Sequence, residues 1–154
     1  MRSLVIAITA GDPCGVGPEV ILKALRGPLA GPGMPRRADD AARRRSRGIP
    51  VRLIVIGDLK VFAETAQRLR LRLPPWRVVS SSQEALRDPS RAQFIHLPSP
   101  ARFLPGRSSI RAGRASLAYL DCAMRLCRAG GLNGLVTAPE TKWAIERSGR
   151  PFSG

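Results

Sequence analysis

The stretch Leu4–Leu25, LVIAITAGDPCGVGPEVILKAL, decides the fold class. Leu4 to Thr9 are apolar with almost no alternation, the pattern of a strand buried on both faces. AGDPCGVG then reads as a glycine- and proline-rich turn. Pro18 suits the start of a helix, where its missing N–H costs nothing, and Glu19 complements the positive end of the helix dipole. Val20, Ile21, Ala24 and Leu25 supply an apolar stripe, and the helix is expected to end near Gly27. A buried strand feeding a helix through a tight turn is the opening unit of a parallel α/β sheet.

Working outward, periodicity disappears from Pro28 to Pro50. GPLAGPGMPRRADDAARRRSRGIP combines proline, glycine and an arginine block, so residues 30–48 are expected to form a disordered basic insertion. A basic tether for an acidic partner is the alternative. Val51–Ile56 reads as a second strand, ending at Gly57-Asp58. A helix follows, marked by Leu59, Phe62, Ala66 and Leu69. Trp76–Ser80 and Gln93–Leu97 read as short strands, with Pro98–Ser109 a loop. Leu117, Leu120, Met124 and Cys127 mark a longer helix closed by Gly130-Gly131. Leu135–Thr137 is a strand end, and Pro139 is expected to begin a last helix running to about Arg147. The alternation predicts an α/β fold in three layers: a mostly parallel sheet, helices on both faces, and the strand at 4–9 central.

The 154 residues fit one domain of ordinary size, and no run approaches the ~20 apolar residues of a membrane span. The apolar run near residue 1 is too brief for a signal peptide and leads into a turn, not a cleavage site, so a cytoplasmic protein is expected. Three cysteines, an odd count with no dense framework, argue against a disulfide scaffold. Cys122 and Cys127 have no common zinc spacing and default to core packing, and His96 is the only histidine. No metal site is expected from this chain alone.

A net charge of +15 raises the question of nucleic acid. Arg36 to Arg52 contribute seven arginines and two aspartates, and only Lys23, Lys60 and Lys142 among the basic residues are lysine. Single-strand and RNA binders interleave such charge with aromatic stacking platforms. Here aromatics are 5% of the chain and no binding motif accompanies the charge. Nonspecific attraction to polyanions follows physically, but nucleic acid is not the expected partner.

Ligands of open α/β sheets bind beyond the carboxyl ends of the strands. Three segments fall there: Gly11–Glu19, Gly57-Asp58 and Thr137–Lys142. Gly15-Val16-Gly17, leading into a helix, could present N–H groups to a phosphate. It lacks the third glycine of a dinucleotide fingerprint, and no Gly-Lys-Ser/Thr follows. The structural alternative is a tight strand-to-helix turn. Lys142 stands in the first turn of the last helix, where a cation opposes the dipole. It is either a partner for a phosphate or carboxylate, or a solvated lysine.

Taken together these blocks form a recognisable pattern. ITAGDPCGVGPEVILKAL, residues 8–25, resembles the opening of the 4-hydroxythreonine-4-phosphate dehydrogenases, which reads like I-T-x-G-D-P-A-G-I-G-P-E. The resemblance continues at Val55–Asp58, at Gly113 and Ser116, and at Leu135–Pro139, then Lys142, Gly149, Phe152 and Gly154. Block spacing agrees apart from the basic insertion. Cys14 stands where the family usually has alanine.

The resemblance implies the amino-terminal part of a homodimeric, two-domain α/β enzyme similar to isocitrate and isopropylmalate dehydrogenases. Such enzymes oxidise a secondary alcohol with NAD or NADP and then lose the adjacent carboxylate with help from a divalent metal. The implied substrate is the phosphorylated hydroxy amino acid 4-phosphohydroxy-L-threonine, in vitamin B6 synthesis. In the family, the metal-binding histidines and most of the substrate clamp lie later than the position matched by Gly154. The chain is therefore expected to be truncated and inactive alone, with no catalytic residue or metal ligand of its own. Substrate- or cofactor-binding candidates are Asp12, Gly15, Gly17, Thr137 and Lys142, expected to line one cleft. Two rivals remain open: a paralogue acting on another phosphorylated hydroxy acid such as 4-phospho-threonate, and a non-catalytic remnant or binding module.

Overall fold

A computed structural model of the chain describes residues 3–25 and 51–151. The expected insertion at 30–48 lies outside them. Among the described residues there are five strands: β1 Leu4–Thr9, β2 Val51–Gly57, β3 Arg77–Val79, β4 Ala92–His96 and β5 Gly134–Thr137. The helices among them are α1 Gly17–Ala24, α2 Leu59–Arg68, α3 Ser82–Arg87, α4 Ile110–Arg128 and α5 Lys142–Glu146. The strands form one sheet in the order β3-β4-β2-β1-β5, and every pairing is parallel. No helix among the described residues is long and apolar enough to cross a membrane.

Strand order and the right-handed rule for parallel crossovers distribute the helices. β1 to β2 and β2 to β3 run in one direction across the sheet, which places α1 and α2 together on one face. β3 to β4 and β4 to β5 run the other way, placing α3 and α4 on the opposite face, where α4 packs on β1, β2 and β5. The three expected layers are thus present. β1 is interior, held by β2 on one side and β5 on the other, but β2 takes the middle of the sheet. Leu53 to Gly57 are all buried, whereas β1 alternates, with Val5, Ala7 and Thr9 buried and Ile6 and Ile8 half-buried.

On the α1/α2 face, the rings of Phe62, Trp76 and Phe94 meet with centroids 4.8–5.5 Å apart, two of the pairs edge to face. Such pairs add to the area they bury. Trp76 precedes β3 and Phe94 lies on β4, so this cluster fixes the outer half of the sheet against α2.

Three expectations are corrected by the packing, and one helix is added. In α1 the buried stripe is Pro18, Ile21, Leu22 and Leu25, while Val20 and Ala24 are exposed. In α4 the buried face is Ala112, Gly113, Ala115, Ser116, Tyr119, Cys122, Ala123 and Leu126. Met124 points to solvent, and Leu117, Leu120 and Cys127 are half-buried. Small residues win that face because α5 comes close: a Cβ on Gly113 would lie 2.1 Å from the Ala144 carbonyl oxygen. The helix α3 fills a segment with no periodic signal, six residues started by a Ser81 side chain that accepts from the Glu84 N–H. Lastly, α5 begins at Lys142, not at Pro139, for a reason that lies in the site.

Candidate functional site

β1 and β5 are adjacent and parallel, with Thr9 opposite Thr137, so the turns leaving their carboxyl ends meet. Asp12 is the point of junction. It is almost fully buried, and its Oδ1 accepts the Cys14 N–H at 2.8 Å. Its Oδ2 accepts two hydroxyls, Ser108 Oγ and Thr141 Oγ1, each at 2.5 Å. The Asp12 N–H donates to the Pro139 carbonyl at 3.0 Å, and the Gly106 N–H to the Cys14 carbonyl at 2.7 Å. One carboxylate therefore ties together three segments that are distant in sequence: the β1–α1 turn, the loop before α4, and the β5–α5 connection.

This tie explains where α5 starts. Residues 139–141 are held against the β1–α1 turn, and Thr141 keeps an extended backbone at φ −97°, ψ 97°. Its hydroxyl serves Asp12, so it gives α5 no side-chain cap. Helical geometry begins one residue later.

The glycines of the turn serve close approach. Gly11 has φ +68°, and a Cβ there would lie 2.4 Å from the Pro139 carbonyl oxygen. A Cβ on Gly17 would lie 2.1 Å from the Ala10 carbonyl oxygen, so α1 is pressed directly onto the end of β1. Gly17 thus has a packing reason to be glycine and is buried. Gly15 is exposed at the rim, with its N–H donating to the Asp12 carbonyl at 2.9 Å. Thr137 and Lys142 are both exposed, Thr137 as the last residue of β5 and Lys142 as the first of α5. Asp12 and the segment carrying Lys142 are brought together directly. Lys142 has no ion pair among the described residues.

Three residues of this site had no individual signal in the sequence: Ser108, Glu140 and Thr141. Glu140 is half-buried, and its Oε1 is buried without a hydrogen-bond partner. Burial first, and then the charge of nearby Asp12, push its carboxyl up to about 7. It is a group able to gain or lose a proton near neutrality. Burial and Asp12 likewise push the Cys14 thiol up, which disfavours the nucleophilic thiolate.

The second strand end, Gly57-Asp58, is organised in the same way on a smaller scale. Asp58 Oδ1 caps α2 by accepting the Lys60 N–H at 2.9 Å, and Oδ2 accepts the Ser99 N–H at 3.0 Å. His96 Nδ1 accepts the Leu59 N–H at 3.1 Å, so that nitrogen is committed to the backbone. Among the described residues no group of three His, Cys, Asp or Glu side chains could hold a metal ion. These residues do not fit a metal centre. Nor does the turn fit a dinucleotide fingerprint: after Gly15 and Gly17, Val20 stands where the third glycine would be.

Comparison with known proteins adds the following. Residues 50–154 match the family described as "Pyridoxal phosphate biosynthetic protein PdxA". A D-threonate 4-phosphate dehydrogenase of Bordetella bronchiseptica is 34% identical over 97% of this chain and 38% of its own length. A 4-hydroxythreonine-4-phosphate dehydrogenase of Thermosynechococcus vestitus is 32% identical over 97% of this chain and 36% of its own. The crystal structure of a 4-hydroxythreonine-4-phosphate dehydrogenase from Klebsiella pneumoniae superposes with a TM-score of 0.71 at 25% identity, covering 99% of this chain and 42% of that one. The chain thus spans little more than a third of the curated relatives it matches, and its architecture is that of the dehydrogenase fold expected from the sequence.

Proposed function

The chain belongs to the PdxA family, and from that premise we propose that it forms the amino-terminal part of an NAD- or NADP-dependent dehydrogenase acting on a phosphorylated hydroxy acid. The reaction is oxidation of a secondary alcohol followed by loss of the adjacent carboxylate, in a cytoplasmic homodimer. The observation that carries this reading is the junction built on Asp12, which puts the turns at the carboxyl ends of β1 and β5 side by side. This is the edge of an α/β sheet at which ligands bind.

In that role Asp12 is a positioning residue. It holds the connection 139–141, and with it the start of α5, against the β1–α1 turn. Lys142 then presents its ammonium to the phosphate or carboxylate of the substrate, as an unpaired exposed cation can. Gly15 and Thr137 form the rim, and Gly17 keeps α1 close beneath it. The nicotinamide supplies the hydride acceptor, which side chains cannot. The groups that bind a divalent metal come from outside the described residues.

Two substrates fit the family. 4-Phosphohydroxy-L-threonine, with a place in vitamin B6 synthesis, is the first. 4-Phospho-threonate is the second, the substrate in the name of the Bordetella relative.

A chimera tests this reading. The 154 residues replace the matching amino-terminal part of the Bordetella relative, and reduction of NAD or NADP is followed with either substrate and a divalent metal. The chimera is expected to turn over. Lys142→Ala is expected to raise KM by roughly tenfold or more, since a charge-assisted contact is lost. The 154-residue chain alone is expected to show no turnover, because a site missing its clamp loses orders of magnitude in rate. A folded chimera that is silent with both substrates, or robust turnover by the chain alone, would overturn the assignment.

A further inference from the structure

A second concavity lies beside the junction on Asp12, between the loop that follows β4 and the amino-terminal half of α4. Its volume is about 530 Å³, within the ~300–1,000 Å³ of small-molecule pockets and far more than a free inorganic anion needs. Its walls divide by chemistry. Pro98 and Pro100 on the loop face Ala115 and Ala118 on the helix, giving a largely aliphatic slot. Arg111 and Arg114 also line it, one turn apart on α4. Both guanidinium groups are without a carboxylate partner among the described residues. Two exposed, unpaired cations lining an apolar slot, near the positive end of a 19-residue helix, make the slot attractive to an anion.

Tyr119 forms the back of the cavity: it is 1% exposed, with its hydroxyl buried beside the Asp58 backbone. One polar group is in place for a ligand. Ser99 also lines the cavity, and its oxygen accepts the Ala101 N–H at 3.2 Å, which leaves its own hydrogen free to donate. The loop is held in this shape by Asp58, through the Ser99 N–H.

We propose that this cavity binds an organic phosphate monoester with a flat apolar body, the phosphate held by Arg111 and Arg114 and the body lying between the prolines and the alanines. Guanidinium forks match a phosphate dianion in geometry and charge. The slot excludes a highly hydrated body and accepts a nucleobase-like one. The cavity adjoins the Asp12 junction through Ser108 and the start of α4, but its test reads binding and not turnover, so it stands or falls separately from the reaction proposed above.

AMP is the probe, titrated into the 154-residue chain by calorimetry at physiological salt, with adenosine and inorganic phosphate in parallel. AMP is expected to bind at a single saturable site, at least ~10-fold tighter than either half alone, because both recognition elements are needed. Arg111→Ala/Arg114→Ala is expected to weaken AMP by ~10-fold or more. Arg125→Ala/Arg128→Ala, the same charge removed roughly 20 Å along the same helix, is expected to leave it unchanged. Ala118→Trp fills the slot without touching charge and is expected to abolish AMP binding. Circular dichroism of each variant checks the fold. Absence of saturable AMP binding, equal loss in both double-arginine variants, or phosphate binding as tightly as AMP would each overturn the proposal.

Discussion

Replacing Glu140 by glutamine removes the one carboxyl at the Asp12 junction that is lifted towards neutrality. In the folded chain this group titrates at about 7 instead of its ordinary 4.5, chiefly because it is partly buried, and secondly because Asp12 is near. A carboxyl raised on folding binds its proton more tightly in the native state. Its contribution to stability is therefore fully present below about 4.5 and is lost as pH rises through about 7. The full difference corresponds to roughly 3 kcal/mol, but Glu140 is only half-buried, and solvent screening reduces this to about 1–2 kcal/mol. Glutamine mimics the protonated acid in size and neutrality at every pH. Urea denaturation at about pH 5 should therefore find wild type and Glu140→Gln alike, and at about pH 8.5 should find the variant more stable by about 1–2 kcal/mol. Equal stabilities at both pH values would show that Glu140 ionises without cost, and that its buried oxygen reaches solvent or a partner.

Other outcomes follow from the same packing. Asp12→Ala strands two hydroxyls and an N–H, and should cost roughly 3 kcal/mol or more in equilibrium denaturation; a loss under ~1 kcal/mol would mean the three segments hold together without it. Gly17→Ala places a methyl within 2.1 Å of the Ala10 carbonyl oxygen, whereas Gly134→Ala meets only Ile6 at 3.9 Å. The first should lower the melting temperature by many degrees and the second by few, and the reverse order would refute the close approach of α1 to β1. Phe62→Ala empties the centre of the aromatic cluster and should cost about 3–5 kcal/mol, measured in the same way.

Much of the fold was legible because its signals are local. The unbroken apolar run of β1 and the β2 run marked interior strands, and the turn at AGDPCGVG joined the first of them to a helix. The faces of α1 and α4 were harder, since two registers of apolar residues compete on each. The register that wins in α4 is set by Gly113 lying against Ala144, a contact between different elements. The short helix α3 did have a readable start, Ser81 three residues before Glu84, but lacked the length over which periodicity is visible. In the candidate site, Asp12 could be singled out from its position after β1. Its partners could not, because serine and threonine hydroxyls are common and Ser108 and Thr141 lie 96 and 129 residues away. The start of α5 was misplaced for the same reason, since nothing near Pro139 announces that Thr141 is engaged elsewhere.

That separation has a bearing on how the chain is made. Thr141 leaves the ribosome 129 residues after Asp12. At about 5–20 residues per second, synthesis takes roughly 6–26 s to cover the interval. Throughout it, the carboxylate lacks one of its two hydroxyl donors and the β1 edge that will receive β5 stands open. Early folding must therefore proceed on β1, β2, β4 and the aromatic cluster, whose contacts are completed sooner. The junction closes only when β5 crosses back over β2 and β1 to dock beside residues made long before it, a long-range closure of the kind that slows folding. The nascent chain thus assembles its scaffold before it can assemble its site.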